Sequence, residues 1–181
     1  MRGALKIWSV ETPGVHLRSI QESDLESLRA WKNANRLSFF YQEIISPEQQ
    51  QEWYQGYCAR PHDYMFMIVG NETPVGCMAF RHQDAEVDIY NVIRGTRQSG
   101  GRGEMAAGLR LMCGYAALTY PGPQRARVLS SNPALPWYIK HGFTSVSRGV
   151  RDGIEYQLIE LQSDKAGFLE DLQHSAIAAN A

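Results

Sequence analysis

Val15-His16-Leu17-Arg18 alternates apolar and polar side chains, the period-two pattern of a half-buried strand. Beyond it the period lengthens. Ser23-Asp24-Leu25-Glu26 has the form of a capping box, and Leu25, Leu28 and Trp31 follow at helical spacing. Ser46-Pro47-Glu48 offers a capping hydroxyl, a proline at the first helical position and an acid in the first turn. This predicts a second helix through Trp53 and Tyr57 to Arg60. Tyr64 to Val69 is a dense apolar run, and the turn Gly70-Asn71-Glu72-Thr73-Pro74 leads to a strand from Val75 to Phe80. A third strand, Ala85 to Ile93, alternates Val87, Ile89 and Asn91 with Glu86, Asp88, Tyr90 and Val92. Short connections make these three an antiparallel meander.

A glycine-rich loop, Gly95 to Gly103, precedes a helix carrying Met105, Leu109, Met112 and Ala116, which Pro121-Gly122-Pro123 ends. A strand from Ala126 to Ser130 follows, then a short helix started by Asn132-Pro133. Thr144 to Val150 and Gly153 to Leu161 form a hairpin around Arg151-Asp152. Ser163 caps a last amphipathic helix with Phe168, Leu169 and Leu172. The order is β-α-α-β-β-β-loop-α-β-α-β-β plus that helix: an α+β fold, or equally a mixed-sheet α/β one. It divides into a domain over residues 1–162 and a C-terminal helix and tail over 163–181.

The chain has 181 residues, 44% hydrophobic and 20% charged, enough for one domain with a sizeable core. A net charge of -1 gives no global pull toward nucleic acid or an anionic membrane, so neither is expected as a partner. Cys58, Cys77 and Cys113 lie far apart, with no C-x-x-C pair and no histidine at metal-ligand spacing. They read as reduced thiols in a cytoplasmic protein without a metal. The stretch Met1 to Glu11 is too short and too interrupted by Lys6 for a signal segment. No apolar run approaches the roughly 20 residues of a membrane helix.

Chemistry concentrates first in Arg97-Gln98-Ser99-Gly100-Gly101-Arg102-Gly103, between a strand and a helix. Glycines let backbone N–H groups converge, and the helix adds a positive dipole end, which suits a phosphate or pyrophosphate. Arg94, Arg97 and Arg102 add charge; a flexible surface loop is the plain alternative. No Gly-Lys-Ser/Thr follows, so this is not a Walker loop. The preceding strand closes a meander, which excludes a dinucleotide-binding βαβ unit.

Gln98-x-x-Gly101-x-Gly103 resembles the Q/R-x-x-G-x-G/A loop of the GNAT N-acetyltransferases, although Gly95 stands where many relatives have proline. Ala134-x-x-Trp137-Tyr138-x-x-x-Gly142-Phe143 resembles that family's A-x-x-L-Y-x-x-x-G-F helix and turn. Leu17-Arg18 through Asp24, with Trp31-Lys32-Asn33 and Trp53, resembles the branch of ribosomal-protein and amino-sugar-nucleotide acetyltransferases. The resemblance spans Val15 to Leu161 and implies a twisted mixed sheet of about seven strands with about four flanking helices. It also implies acetyl-CoA as co-substrate. Arg97, Gln98 and the amides of Ser99, Gly100, Gly101, Arg102, Gly103 and Glu104 would hold its pyrophosphate. Asn91, Val92 and Ile93 would pair with pantetheine along a splayed strand, and Asn132 would lie beside the coenzyme.

Acetyl transfer needs a neutral amine and a proton for the departing thiolate. An amine of pKa about 10.4 is about 0.1% neutral near pH 7.4, a cost of roughly 4 kcal/mol, against about 1 kcal/mol for a pKa of about 8. A general base is thus required for the first class and optional for the second. In the implied family Tyr138 gives the thiolate its proton. Glu86 and Asp88 share a strand face and are the candidate bases, with His82 an alternative; a solvated strand face accounts for the same pattern. Asn33, Phe39, Phe40, Tyr41 and Glu43 would shape the acceptor side, an aromatic, acid-containing wall suited to a cationic amine on a ring-bearing group. The expected reaction is direct attack in a ternary complex on a small-molecule amine such as an amino-sugar nucleotide. A protein N-terminal acetyltransferase and a catalytically silent acyl-CoA-binding domain stay open, as does a homodimer.

Overall fold

The computed structural model describes residues 4–95, 103–164, 167 and 169–177. Its spine is the meander: β3 (Asp63–Gly70), β4 (Thr73–Gln83) and β5 (Glu86–Arg94). Asn71-Glu72 and Asp84-Ala85 make the two turns, with both residues of each at positive φ. The dense apolar run is dense because β3 is covered on both faces. Phe66 and Ile68 join one core, while Met65, Met67 and Val69 join the other.

The first core lies under α3 (Glu104–Thr119) and α4 (Leu135–Lys140), with Leu109, Met112 and Tyr138 packed on Met78 and Phe80. The second lies under α1 (Leu25–Ala34) and α2 (Pro47–Ala59), with Leu25, Leu28 and Tyr57 against Cys77, Ala79 and Ile93. The Ser46 hydroxyl caps α2 as expected, accepting from the Gln49 N–H at 3.2 Å. The box expected at the start of α1 does not form. Asp24 accepts from the Gln21 N–H at 2.8 Å and is gripped by Arg18 at 2.6 and 2.8 Å, while Glu26 is drawn to Arg29. A box between Gln21 and Asp24 closes the short turn Glu22–Asp24 that leads into α1, and Ser23-x-x-Glu26 does not close.

The remaining predicted strands are β2 (Val15–Ser19), β6 (Gln124–Leu129), β7 (Phe143–Arg151) and β8 (Ile154–Leu161). Two more are present. β1 (Ala4–Trp8) pairs with β2, and β9 (Gln173–Ile177) pairs with β1, giving a mixed sheet in the order β7-β8-β6-β5-β4-β3-β2-β1-β9. The predicted C-terminal helix is therefore corrected: the chain over 173–177 is extended. Leu169 still packs into the first core and Leu172 reaches α3 at Gly114, so their apolar burial survives. Pairing with the open edge of β1 overrides a local helical pattern that has little else to stabilise it.

Candidate active site

β5 and β6 pair in parallel only from Val87 with Gln124 to Ile89 with Ala126, and then part. The gap is a cleft of about 380 Å³. On the β5 side a bulge sets its shape: Cys77 pairs with Ile93 but Ala79 with Tyr90, and Asn91 adopts φ 48°. Asn91, Val92 and Ile93 line the cleft, so their backbone lies along an edge that β6 has left. Tyr138 reaches the cleft from α4, because Asn132 accepts the Ala134 N–H at 2.8 Å and fixes the start of that helix. Its ring stands edge-on to Trp137 and Phe143. Burial, with a smaller contribution from Cys113, raises the phenol above its ordinary range.

Glu86 and Asp88 do share a strand face, but in a lattice of guanidinium groups. Asp88 meets Arg81 at 3.0 Å and Arg127 at 3.1 Å; Glu86 meets Arg127 at 2.9 Å and Arg125 at 3.1 Å. Burial alone would raise the Glu86 carboxyl, but Arg127 and Arg125 outweigh it and hold the group below the usual carboxylate range. Glu86 does not line the cleft, and Asp88 has both oxygens engaged. Both carboxylates proposed as bases are thus committed to arginine partners, and of the two only Asp88 reaches the cleft.

Phe39, Phe40 and Tyr41 all line the cleft. Phe40 stands edge-on to Tyr156, with the Arg151 guanidinium 5.0 Å from its ring centre. Asn33 serves this wall from behind, accepting the Ile45 N–H at 2.9 Å and donating to the Ile45 carbonyl at 3.0 Å. It is a tether for the segment between α1 and α2, not part of the lining. Asn132 donates to the Ser38 carbonyl at 3.3 Å, tying the same segment to α4. Glu43 is exposed and outside the lining, so the acid of the expected wall is missing. The charge is reversed instead: among the described lining residues Lys32, Arg81, Arg94, Arg127 and Arg151 face the single carboxylate of Asp88. A second, mainly apolar cavity of about 290 Å³ adjoins the cleft under α1 and α2 and shares Lys32, Tyr41, Asn91 and Ile93 with it.

A sequence profile of the acetyltransferase (GNAT) domain matches residues 15–135, more than half of the chain. The chain belongs to the GNAT acetyltransferase family. Solved structures agree on the fold. The spermidine N-acetyltransferase of Vibrio cholerae, in complex with CoA and spermine, superposes with TM-score 0.67 at 15% identity, over 86% of this chain and 99% of that one. RimL, a ribosomal alpha-N-protein acetyltransferase, gives 0.66 at 18% identity, over 82% and 90%. FdhC, a nucleotide-linked sugar GNAT, gives 0.64 at 17%, over 84% and 89%. A comparison with curated proteins finds no match. The chain is an acyltransferase by family, with the splay between β5 and β6 where the resemblance placed it.

Of the loop assigned to this GNAT domain, Arg97, Gln98, Ser99, Gly100, Gly101 and Arg102 lie outside the described residues; Gly103 and Glu104 open α3. His82 stacks on Tyr120 and lies outside the cleft lining. Cys77 and Cys113 are buried, and burial pushes both thiols up to about 12. No group of potential metal ligands occurs among the described residues, and no described helix is long and apolar enough to cross a membrane. One cleft residue carried no functional reading in the sequence. Lys32 donates to the Asn91 Oδ1 at 2.6 Å and lies 3.2 Å from the Phe39 ring centre. Burial draws its ammonium down to about 7, with a small opposing effect from Cys77. The signal was there: Leu25, Leu28 and Lys32 fall at i, i+3 and i+7, on the apolar stripe of α1.

Proposed function

We propose that this GNAT domain transfers an acetyl group from acetyl-CoA to a primary amine on a small molecule that also carries negative charge, such as an amino-sugar nucleotide. The observation behind the acceptor class is the cleft lining, which carries Arg81, Arg94, Arg127 and Arg151 and the single carboxylate of Asp88, beside the aromatic wall of Phe39, Phe40 and Tyr41. A polyamine would be repelled there, whereas a diphosphate beside a flat ring would be attracted.

The described residues suit the co-substrate. The β5 backbone from Asn91 to Ile93 borders the splay, where an extended pantetheine arm can add its amides to an open strand edge. Tyr138, kept protonated by burial, faces the same space and would donate its phenolic proton to the coenzyme sulfur as the C–S bond breaks.

The test is calorimetric titration with acetyl-CoA, followed by free-thiol release with a panel of amines. A nucleotide-linked amino sugar should be turned over with kcat/KM well above spermidine and above peptides with free N-termini. Efficient acetylation of peptides with no turnover of the sugar would overturn the acceptor assignment, and no acetyl-CoA binding would overturn the whole reading.

A further inference from the structure

We propose that Lys32 is the general base of the acetyl transfer, taking the proton that the acceptor amine must lose. The proposal rests on the acetyltransferase reading above and assigns the base to a group outside the arginine-paired carboxylates. Three observations of geometry carry it. Lys32 lines both cavities, so its amine stands where they join. Its Nζ is held at 2.6 Å by Asn91, the positive-φ residue of the β5 bulge, beside the strand edge assigned to the coenzyme arm. And it makes no ion pair with a carboxylate among the described residues.

A base must be neutral when the acceptor arrives. An ordinary lysine amine, with pKa about 10.4, is not neutral near pH 7. Burial brings Lys32 to about 7, where about half of the molecules offer a free lone pair. The titratable groups beside it are the Cys77 thiol from β4, which burial keeps protonated, and Tyr41 from the segment after α1, which lines the same cavity. Across the wider cleft stand Asp88 and Arg94 of β5, Arg81 of β4, Arg127 of β6 and Arg151 of β7. The Phe39 face favours the ammonium once it forms, so the proton has somewhere to rest.

The step balances. The acceptor nitrogen forms the new C–N bond, its proton passes to the Lys32 lone pair, and the C–S bond breaks with its electron pair on sulfur, which takes the Tyr138 proton. Solvent carries the proton from Lys32 back to Tyr138 after release.

The chain has four lysines, so protein labelled with [ε-13C]lysine gives four side-chain signals, and Lys32→Arg identifies the one that matters. That signal should titrate near 7. In the thiol-release assay with acetyl-CoA and a uridine-diphosphate-linked amino sugar, whose amine binds largely neutral and loses its proton to the base as the C–N bond forms, Lys32→Gln should lower kcat by about 10²-fold, the low end for a general base. It should leave acetyl-CoA affinity unchanged and abolish the fall in kcat below pH 7. Lys32→Arg keeps the charge and should not restore activity. A Lys32 titration near 10, or a Lys32→Gln enzyme that keeps both its kcat and its acidic limb, would overturn the base while leaving the acetyltransferase reading intact. A wild-type chain that binds no acetyl-CoA overturns both.

Discussion

Tyr138 and the pair Glu86 and Asp88 show how far residue type and position go without three-dimensional context. The phenol lies in the cleft, packed edge-on to Trp137 and Phe143, and its burial keeps it protonated across any working pH. Tyr138→Phe keeps the ring and its packing. It should therefore lower kcat by about 10²–10⁴-fold, leave acetyl-CoA affinity unchanged and leave any basic limb of the pH–rate profile where it was, since that limb belongs to another group. Thermal melting alongside the kinetics checks this. A large fall in Tm with unchanged kcat would make the tyrosine a packing residue alone. The two carboxylates were legible as a shared strand face, but apart from Arg81 of β4 their arginine partners come from β6, and no local pattern joins residue 86 to residue 127. Lys32 was legible in the other direction, as a cation on an apolar stripe, because a helix states its own buried face.

The ends of β5 are shaped by a helix far away in the chain. Gly95 donates its N–H to the Val75 carbonyl at 2.8 Å, which a proline at this position could not do. A Cβ at Gly95 would lie 2.6 Å from the Trp31 ring and 3.0 Å from the Val75 oxygen, so the departure from proline goes with the indole of α1 packed against the strand end. Gly95→Ala should force that contact apart at a cost of about 1–3 kcal/mol. For a chain of this length that lowers Tm by about 2–12 °C. Because α1 also carries Lys32, kcat should fall at a temperature where the variant is folded. Denaturant titration and steady-state kinetics check the two parts, and a variant with unchanged Tm would mean that Trp31 moves aside freely. The entry to α1 teaches the same lesson: Ser23-x-x-Glu26 is a valid local signal, but the box that forms is Gln21 with Asp24, which Arg18 on β2 holds.

Across the sheet, legibility follows sequence distance. The seven predicted strands carry their own period-two pattern or are joined by short turns such as Asn71-Glu72 and Asp152-Gly153, so neighbours in sequence settle them. β1 and β9 have no such help. Ala4–Trp8 is five residues interrupted by Lys6, and Gln173–Ile177 reads as the polar flank of an amphipathic helix; each becomes a strand by pairing with a distant partner, Trp8 opposite Gln173 and Ala4 opposite Ile177. The pairing is reinforced from outside the ladder, where Asp171 accepts the Val10 N–H at 2.9 Å and the His174 ring stands edge-on to Tyr115 of α3. β9 also covers an edge that β1 would otherwise present to other chains. A chain stopped after Leu172 should lose a few kcal/mol, or about 5–15 °C in Tm, as the ladder bonds go and the ordering of β1 is left to β2 alone. The cleft between β5 and β6 lies on the other side of β4, β3 and β2. Acetyl-CoA affinity and kcat measured well below the lowered Tm should therefore stay at the full-length values, while aggregation during heating should increase with protein concentration. Calorimetry, melting and light scattering on the two chains distinguish the outcomes: equal melting would show that β9 adds nothing to the fold, and a loss of coenzyme binding in the folded, shortened chain would show that the sheet transmits strain across four strands to the site.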